Sequence, residues 1–260
     1  MKAYCLASSS SGNCYIIECG NSRLLIECGL PYREILRKCN NERIDFSNIC
    51  ACLVTHAHGD HSRSIRDLIK VGIPVYASSG TYEELKMNPD HVLEDLKPTQ
   101  INIDFKVMSF PVEHDINGAV GFVIKTSEKE TIMFINDHKR WTQNLTAFKP
   151  NYLFIECNYD HSVVYPQLYA LNKTKKNDLL TEEELKEVNI EIKQHERNIN
   201  AHCSLHGTIK GCKKLDLSQC RTIFLMHLSD RYANEYKMKN EVQDATRIKT
   251  VVCGKRGGIK

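Results

Sequence analysis

The sequence predicts an α/β protein in which two β-sheets are packed between helices, an αββα layered architecture. Three observations predict it. Short apolar runs alternate with helical patterns in the first half, strand-like runs follow one another in the middle, and polar residues stand directly after several strand ends. With 260 residues the chain is long enough to bury a sizeable core. We therefore expect one domain over residues 1–260.

The first half of the chain contains the elements of one predicted sheet and its helices. KAYCLA, CYIIEC and RLLIEC are typical of strands, and a GNS turn separates the last two. PYREILRKC begins with proline and predicts a helix. ICACLVT is almost continuously apolar and predicts a strand buried on both faces. SIRDLIKVG then predicts a helix, IPVYA a strand and SGTYEELKM another helix.

The second half of the chain contains the strands of the other predicted sheet. FKVMSFPV, AVGFVIKT and ETIMFIND predict three strands in succession, and NYLFIEC and RTIFLMHLS predict two more. Residues 171–197 are rich in lysine and glutamate, and Thr181 with Glu184 forms a capping-box pattern before a narrow apolar stripe. We interpret this segment as a charged helical insertion on the surface.

Composition narrows the class of protein. The hydrophobic fraction of 42% and the charged fraction of 26% are typical of a soluble globular protein. We expect no membrane association and a cytoplasmic location, because no apolar run is long enough for a membrane helix or a signal peptide. Twelve cysteines are scattered without a C-x-x-C pair, which predicts reduced thiols. The net charge of +3 does not by itself indicate a polyanionic partner, and the oligomeric state is left open.

The stretch THAHGDH, residues 55–61, carries the clearest chemical signal. It places His56, His58, Asp60 and His61 in one turn between a buried strand and the next helix. Imidazole and carboxylate ligands favour zinc, with manganese or iron as alternatives. Four such ligands exceed what one ion uses from adjacent positions, so we predict two divalent ions side by side.

Further candidate ligands follow other predicted strands. His114 ends FPVEH, Asp137 ends MFIND and His227 ends IFLMH. Each of these residues alone is more often a hydrogen-bonded polar residue at a strand end. Together with the dense turn, they form a candidate set of seven metal ligands.

The order H-x-H-x-D-H, isolated His, Asp and final His resembles the metallo-β-lactamase superfamily. This resemblance implies an αββα four-layer sandwich with a binuclear metal site at one edge. It also implies that Asp137 bridges the two ions. The ligands implied for the first ion are His56, His58 and His114, and those for the second are Asp60, His61 and His227.

Other motifs narrow the resemblance. LASSSSGNCYII, GLPYREI, VGIPVYASSGTYEEL, VEHD, FIECNYDHSV and AHCS are similar in order to the YycJ-like branch, which implies a DNA exonuclease. MHLSDRY and the pair Glu156 and His202 resemble tRNA 3′-processing endonucleases, in which a Glu–His pair serves the leaving group. The implied catalytic residues are therefore Asp60, which orients or deprotonates the water, and His202, which acts as an acid held as a cation by Glu156.

Two positions depart from the superfamily pattern. Glu27 begins a Glu-Cys-Gly stretch where the superfamily usually has Asp-x-Gly. We expect the Glu27 carboxylate to support the metal site as the aspartate would, from one methylene further away. His138 follows the predicted bridging aspartate, and no role is assigned to it.

The resulting prediction is a metal-dependent phosphodiesterase that acts on nucleic acid, as a DNA exonuclease. The alternatives are an RNA-processing endonuclease and a small-ester or thioester hydrolase of the glyoxalase II or lactonase kind, which shares all seven ligands. A non-enzymatic, metal-stabilised nucleic-acid-binding protein is a further alternative. The complete ligand set argues against it, because binding alone does not require an activated water.

Overall fold

The computed structural model describes residues 2–176 and 180–260, which form two β-sheets packed face to face between helices. The first sheet has strands whose spatial order is their chain order, antiparallel up to its third strand and parallel beyond it. Its strands are β1 (Lys2–Ser9), β2 (Gly12–Cys19), β3 (Ser22–Ile26), β4 (Ile49–Leu53), β5 (Val75–Ala77) and β6 (His91–Val92).

The second sheet is antiparallel at one end and parallel at the other. Its strands are β7 (Thr99–Gln100), β8 (Phe105–Pro111), β9 (Val120–Thr126), β10 (Thr131–Ile135), β11 (Tyr152–Glu156), β12 (Thr222–Met226) and β13 (Thr250–Val252). Their spatial order also follows their chain order, so each strand again lies beside its neighbours in sequence. Adjacency of successive strands is the common arrangement in protein sheets.

Helices cover the outer faces of both sheets. They are α1 (Tyr32–Asn41), α2 (Gly59–Ser62), α3 (Ile65–Lys70), α4 (Ser79–Glu84), α5 (His161–Thr174), α6 (Glu182–Ala201), α7 (Leu205–Cys212) and α8 (Glu235–Thr246). Single turns of 3₁₀ helix occur at Phe46–Asn48 and Thr146–Phe148. None of the described helices has the length and apolar character that a membrane crossing requires.

Three apolar layers hold the four structural layers together. The central layer joins the two sheets, and in it the ring of Tyr15 on β2 meets that of Phe134 on β10 edge to face, with centroids 5.3 Å apart. A second layer packs β-strands of the first sheet against Ile35 of α1 and Leu68 of α3. A third packs the second sheet against α7 and α8, where Met238 is fully buried. The observed order of layers is therefore α, β, β, α.

Most predicted elements are present, and the differences have simple physical reasons. The strands β6 and β7 have two residues each and β13 has three, too short for the alternation that indicates a strand. The sequence patterns also do not predict the helices α7 and α8. The predicted insertion at 171–197 corresponds to the end of α5 and most of α6, and its residues 177–179 lie outside the described residues.

The capping box at the start of α6 is confirmed. Thr181 N donates to Glu184 Oε2 at 2.8 Å, and Glu184 N donates to Thr181 Oγ1 at 3.2 Å. The cysteine prediction is also confirmed, because all twelve thiols are free and most are buried. Burial raises the pKa of several of these thiols, Cys14 and Cys157 among them, which keeps them protonated.

The loop after β3 anchors the turn that carries the HAHGDH residues. Cys28 N donates to His61 O at 2.8 Å, and Ser64 N donates to Cys28 O at 3.0 Å. Gly29 lies so close to this turn that a Cβ atom there would be 1.6 Å from the carbonyl oxygen of Asp60. The absence of a side chain at residue 29 is therefore a condition for the close approach of the two segments.

We expect Gly29→Ala to lower the free energy of unfolding by about 1–3 kcal/mol, because the new methyl group must displace the backbone at Asp60. Gly59→Ala is the matched control, since a Cβ atom there meets nothing within 4 Å. Urea denaturation of the wild type and the two variants measures the difference. Equal stability of the two variants would contradict the proposed close packing.

Candidate active site

The predicted site residues converge at one edge of the two packed sheets. The strands β10, β11 and β12 are parallel and in register, so their carboxyl ends lie side by side. Asp137, Glu156 and His227 stand at these ends. The segment after β4 of the first sheet brings His56 to His61 to the same place. His114, which follows β8 of the second sheet, also lies there. The structure thus brings together all seven predicted ligands.

The histidine cluster consists of His56, His58 and His114. His56 Nε2 and His114 Nε2 lie 3.1 and 3.2 Å from His58 Nδ1. Ligand atoms around one tetrahedral zinc at about 2.0–2.1 Å stand roughly 3.3 Å apart. The spacing of the three nitrogens therefore fits a common metal ion.

Hydrogen bonds on the far side of the rings orient two of these imidazoles. His114 Nδ1 donates to the carbonyl oxygen of Ala201 at 2.9 Å, so its Nε2 presents a lone pair to the cluster. Thr55 Oγ1 donates to Glu27 Oε1 at 2.5 Å and in turn accepts from His56 Nδ1 at 2.9 Å. Metal-binding histidines typically donate their second ring N–H in this way.

Glu27 is the buried carboxylate beneath the site. Besides its bond with Thr55, its Oε1 lies 3.3 Å from His61 Nδ1. Burial raises the pKa of Glu27, and the charge of His61 partly opposes this rise. The position of the Glu27 side chain is therefore consistent with the expectation that this glutamate supports the metal site.

The mixed cluster consists of Asp60, His61, Asp137 and His227. His61 Nε2 lies 3.3 Å from Asp60 Oδ2 and 3.2 Å from Asp137 Oδ2. His227 Nε2 lies 3.5 Å from Asp60 Oδ2. Asn13, the last residue of the SSSSGN stretch, places its Nδ2 3.1 Å from His61 Nε2.

Asp137 lies between the two clusters. Its Oδ2 is 3.2 Å from His61 Nε2 and 3.9 Å from His114 Nε2, and its Oδ1 is 3.3 Å from His227 Nδ1. Burial opposes ionisation of this carboxyl, but the charges of His227 and His61 hold its pKa well below the usual range. An ionised carboxylate in this position is suited to contact a cation on either side.

The electrostatics of the mixed cluster favour a cation. Burial alone would lower the pKa of His61 and of His227. The carboxylates of Asp137 and Glu27 instead raise the pKa of His61 well above its usual range, and Asp137 and Asp60 raise the pKa of His227 to about 10. Asp137 Oδ1 and His227 Nε2 are buried and form no hydrogen bond in the described part of the chain, and their charged neighbours, His227 Nδ1 and Asp60 Oδ2, lie 3.3 and 3.5 Å away. Unpartnered atoms of this kind call for a bound ion, and this donor set fits a divalent metal.

Three residues of the site have left-handed backbone conformations. The φ angles are 63° at Glu27, 41° at Asp137 and 54° at His227, each close behind the end of a strand. Side chains other than glycine rarely adopt such angles, and residues that do so concentrate at functional sites. Here the conformation turns each polar side chain towards the sheet edge.

Glu156, which is fully buried, and His202, which is partly buried, form a pair beside the mixed cluster. His202 Nδ1 donates to Glu156 Oε1 at 2.6 Å. The other oxygen of Glu156 accepts from the backbone N–H groups of His138 at 2.8 Å and Cys203 at 3.2 Å. Burial would lower the pKa of His202, but the charge and hydrogen bond of Glu156 raise it. The geometry therefore favours a cationic imidazole at residue 202.

A cavity of about 380 Å³ opens onto these groups. Asp60, Asp137, His202 and His227 line it, together with residues that the sequence patterns do not identify. These are Gln194, Arg197 and Asn198, from the last turns of α6, and Ser10 of the SSSSGN stretch between β1 and β2 also lines the cavity. The charge pattern of α6 indicates only a surface helix. The sequence nevertheless contains a signal for the three residues of α6. They lie on the helix that continues directly into His202, which is itself a predicted site residue.

Family and sequence comparisons relate this chain to known proteins. The model of the beta-lactamase superfamily domain matches residues 22–175. Exodeoxyribonuclease WalJ of Streptococcus pneumoniae is 27% identical over 181 residues, which are 64% of this chain and 65% of that protein. Exodeoxyribonuclease YycJ of Bacillus anthracis is 28% identical over 121 residues, 42% of this chain and 44% of that protein. The matches thus span less than two thirds of the length of either relative.

Solved structures show the same architecture. The metallo-beta-lactamase fold protein YhfI of Bacillus subtilis superposes with a TM-score of 0.66 at 15% identity, covering 99% of this chain and 98% of that one. The short form of human tRNase Z superposes with a TM-score of 0.59 at 15% identity, covering 89% and 94%. The predicted αββα sandwich is confirmed. This chain therefore belongs to the beta-lactamase superfamily and has the metallo-β-lactamase fold.

Proposed function

We propose that this protein is a metal-dependent phosphodiesterase that cleaves nucleic acid, and specifically a DNA exonuclease. The observation that carries the proposal is the meeting of two ligand clusters at Asp137 beside the Glu156–His202 pair, all at the wall of one cavity. In this proposal His56, His58 and His114 would hold one divalent ion, Asp60, His61 and His227 would hold a second, and Asp137 could contact both.

The chemistry divides between the ions and the side chains. When bound, two ions, zinc or manganese with iron as an alternative, supply charge stabilisation for the phosphate oxygens and make a bound water more acidic. Asp60 is the only member of the mixed cluster with substantial exposure, its side chain being 22% exposed. It can therefore hold its metal with one oxygen and orient or deprotonate the attacking water with the other.

The Glu156–His202 pair serves the leaving group. An alkoxide that leaves phosphorus needs a proton, and a general acid must start the reaction protonated. Glu156, fully buried, holds the His202 imidazolium, whose side chain is 18% exposed. His202 also lines the cavity, so its proton is placed where the departing oxygen would lie.

Nucleic acid is favoured as substrate by two independent lines. The relatives that match in sequence are named exodeoxyribonucleases. A general acid also has little use in a thioesterase, because a thiolate leaves without a proton, and this weakens the thioester alternative. An RNA-processing endonuclease is the second candidate, because the same pair would serve an RNA leaving group equally well.

We expect end-labelled single-stranded or double-stranded DNA to be shortened from one end in the presence of zinc or manganese. RNA of the same sequence should be cleaved more slowly. Denaturing gels of time courses, with each metal added separately to chelator-treated protein, give both results. Internal cuts in RNA at a higher rate than any cleavage of DNA would favour the RNA-processing endonuclease instead.

Metal analysis tests the two clusters separately. We expect about two divalent ions per chain, and about one in His114→Ala, because that change removes a ligand from the histidine cluster only. His206→Ala, an exposed histidine of α7, is the control and should retain the wild-type content. Elemental analysis after dialysis against each metal measures the ratio. Wild-type protein that never exceeds one ion after resupply would falsify the binuclear site.

His202→Ala should retain its metals but lose ~10²–10⁴-fold in the rate of DNA cleavage, the range typical of a lost general acid. A nitrophenyl phosphodiester should be affected much less, because its leaving group needs no proton. Glu156→Gln should act in the same direction, with the double variant little worse than His202→Ala. Single-turnover rates of the wild type and the variants on both substrates test this prediction. An equal loss of rate on the two substrates would assign His202 to substrate positioning.

A further inference from the structure

A second cavity, of about 350 Å³, lies next to the catalytic one. Neither the proposed metal site nor the proposed general acid uses it. We call it the basic pocket. Its wall is formed chiefly by Lys139, Arg140, Trp141, Lys210 and Lys214.

The basic pocket and the catalytic cavity share a wall one residue thick. Asp137 and His202 line the catalytic cavity, whereas their neighbours His138 and Cys203 line the basic pocket. Glu156 lies between them. Its Oε1 accepts from the His202 ring, and its Oε2 accepts from the backbone N–H groups of His138 and Cys203. A ligand in the basic pocket would therefore sit directly behind the catalytic pair.

The charge of the basic pocket is almost uncompensated. Four of the residues that line it carry a positive charge, and no aspartate or glutamate lines it. Arg140 pairs with Glu113, but Lys139, Lys210 and Lys214 form no ion pair with any carboxylate of residues 2–176 and 180–260. Several like charges around one concavity repel each other and attract an anion.

The shape of the basic pocket depends on α7. Gly207 and Gly211 stand one turn apart on this helix and present no side chain to the cavity. Trp141 packs over Gly211, where a Cβ atom would lie 2.7 Å from its Cη2. The indole is 7% exposed and its ring centre is 5.4 Å from that of His138. The result is an open, cation-rimmed cavity with an aromatic wall.

We propose that the basic pocket binds a phosphate group of the nucleic-acid strand whose scissile phosphodiester lies in the catalytic cavity. This inference rests on the proposed function. Phosphates recur about every 3.4 Å along the axis for each strand of a duplex, so neighbours of the scissile group lie close to the catalytic cavity. Lysine and arginine are prominent among the side chains that contact such phosphates. The bound group is either a terminal 5′-phosphate or an internal phosphodiester.

The single tryptophan of the chain makes a direct test available, because Trp141 forms part of the pocket wall. A short single-stranded DNA oligonucleotide, with either a 5′-phosphate or a 5′-hydroxyl, is titrated against the chelator-treated protein while the tryptophan emission is followed. The test variant is Lys139→Gln/Lys210→Gln/Lys214→Gln. The control variant, Lys70→Gln/Lys106→Gln/Lys125→Gln, removes the same charge from lysines elsewhere on the surface.

We expect saturable emission changes in the wild type and the control variant, and affinity at least about tenfold weaker in the test variant. The slope of log affinity against log salt should also become shallower by about 0.7 for each phosphate that the variant no longer neutralises. A preference for the 5′-phosphate oligonucleotide identifies a terminal phosphate. Equal binding of the two oligonucleotides, both weakened in the test variant, identifies an internal one. Far-UV circular dichroism confirms that each variant is folded.

Equal affinity of the test and control variants would overturn the pocket assignment, as would an unchanged tryptophan emission. Because the titration needs neither metal nor turnover, these outcomes are separable from the proposed function. If the protein cleaves DNA but the three lysines do not contribute to its affinity for the oligonucleotide, only the proposal for the basic pocket is overturned. Lysine-dependent binding by a protein that cleaves no nucleic acid supports the pocket and overturns the proposed function.

Discussion

The burial of carboxylates among imidazoles at one sheet edge is the constraint on which the rest of the structure depends. Asp137 is 2% exposed, and it is surrounded by histidines from three separate segments, His61, His114 and His227. Buried ionised groups are strongly destabilising unless they are paired or bind a cation. The strained backbone at Asp137 and His227 is retained because it directs both side chains into this arrangement.

The two sheets contribute different parts of the site, so their packing sets its dimensions. The first sheet supplies the HAHGDH turn, which Gly29 and Cys28 hold against the loop after β3. The second supplies the parallel ends of β10, β11 and β12. Aromatic contacts such as that between Tyr15 and Phe134 join the sheets in the central layer. A change in this core would therefore alter the spacing of the two ligand clusters without touching a ligand.

Glu156 links the catalytic cavity to its surroundings. One of its oxygens holds His202, and the other holds the backbone of two segments that continue into the basic pocket. The helix α6 arrives at the same point, and a 3.2 Å hydrogen bond between its buried His195 and the hydroxyl of Tyr232 secures the helix to the segment after β12. One buried carboxylate thus connects the proposed general acid, the charged helix and the basic pocket.

The layered fold and the candidate metal ligands can be predicted from the sequence alone. Periodicity and strand-end polarity are local properties, and the HAHGDH turn places four candidate ligands within six residues. Which distant residues lie beside these ligands depends on how the chain folds. Arg197 and Asn198 lie on a helix with an ordinary surface pattern, and Asn13 follows a serine-rich turn. The basic pocket likewise combines lysines some 70 residues apart, 139 and 210, because α7 packs beside the loop after β10. No local pattern encodes such contacts, because they arise only when the strands of the second sheet align their ends.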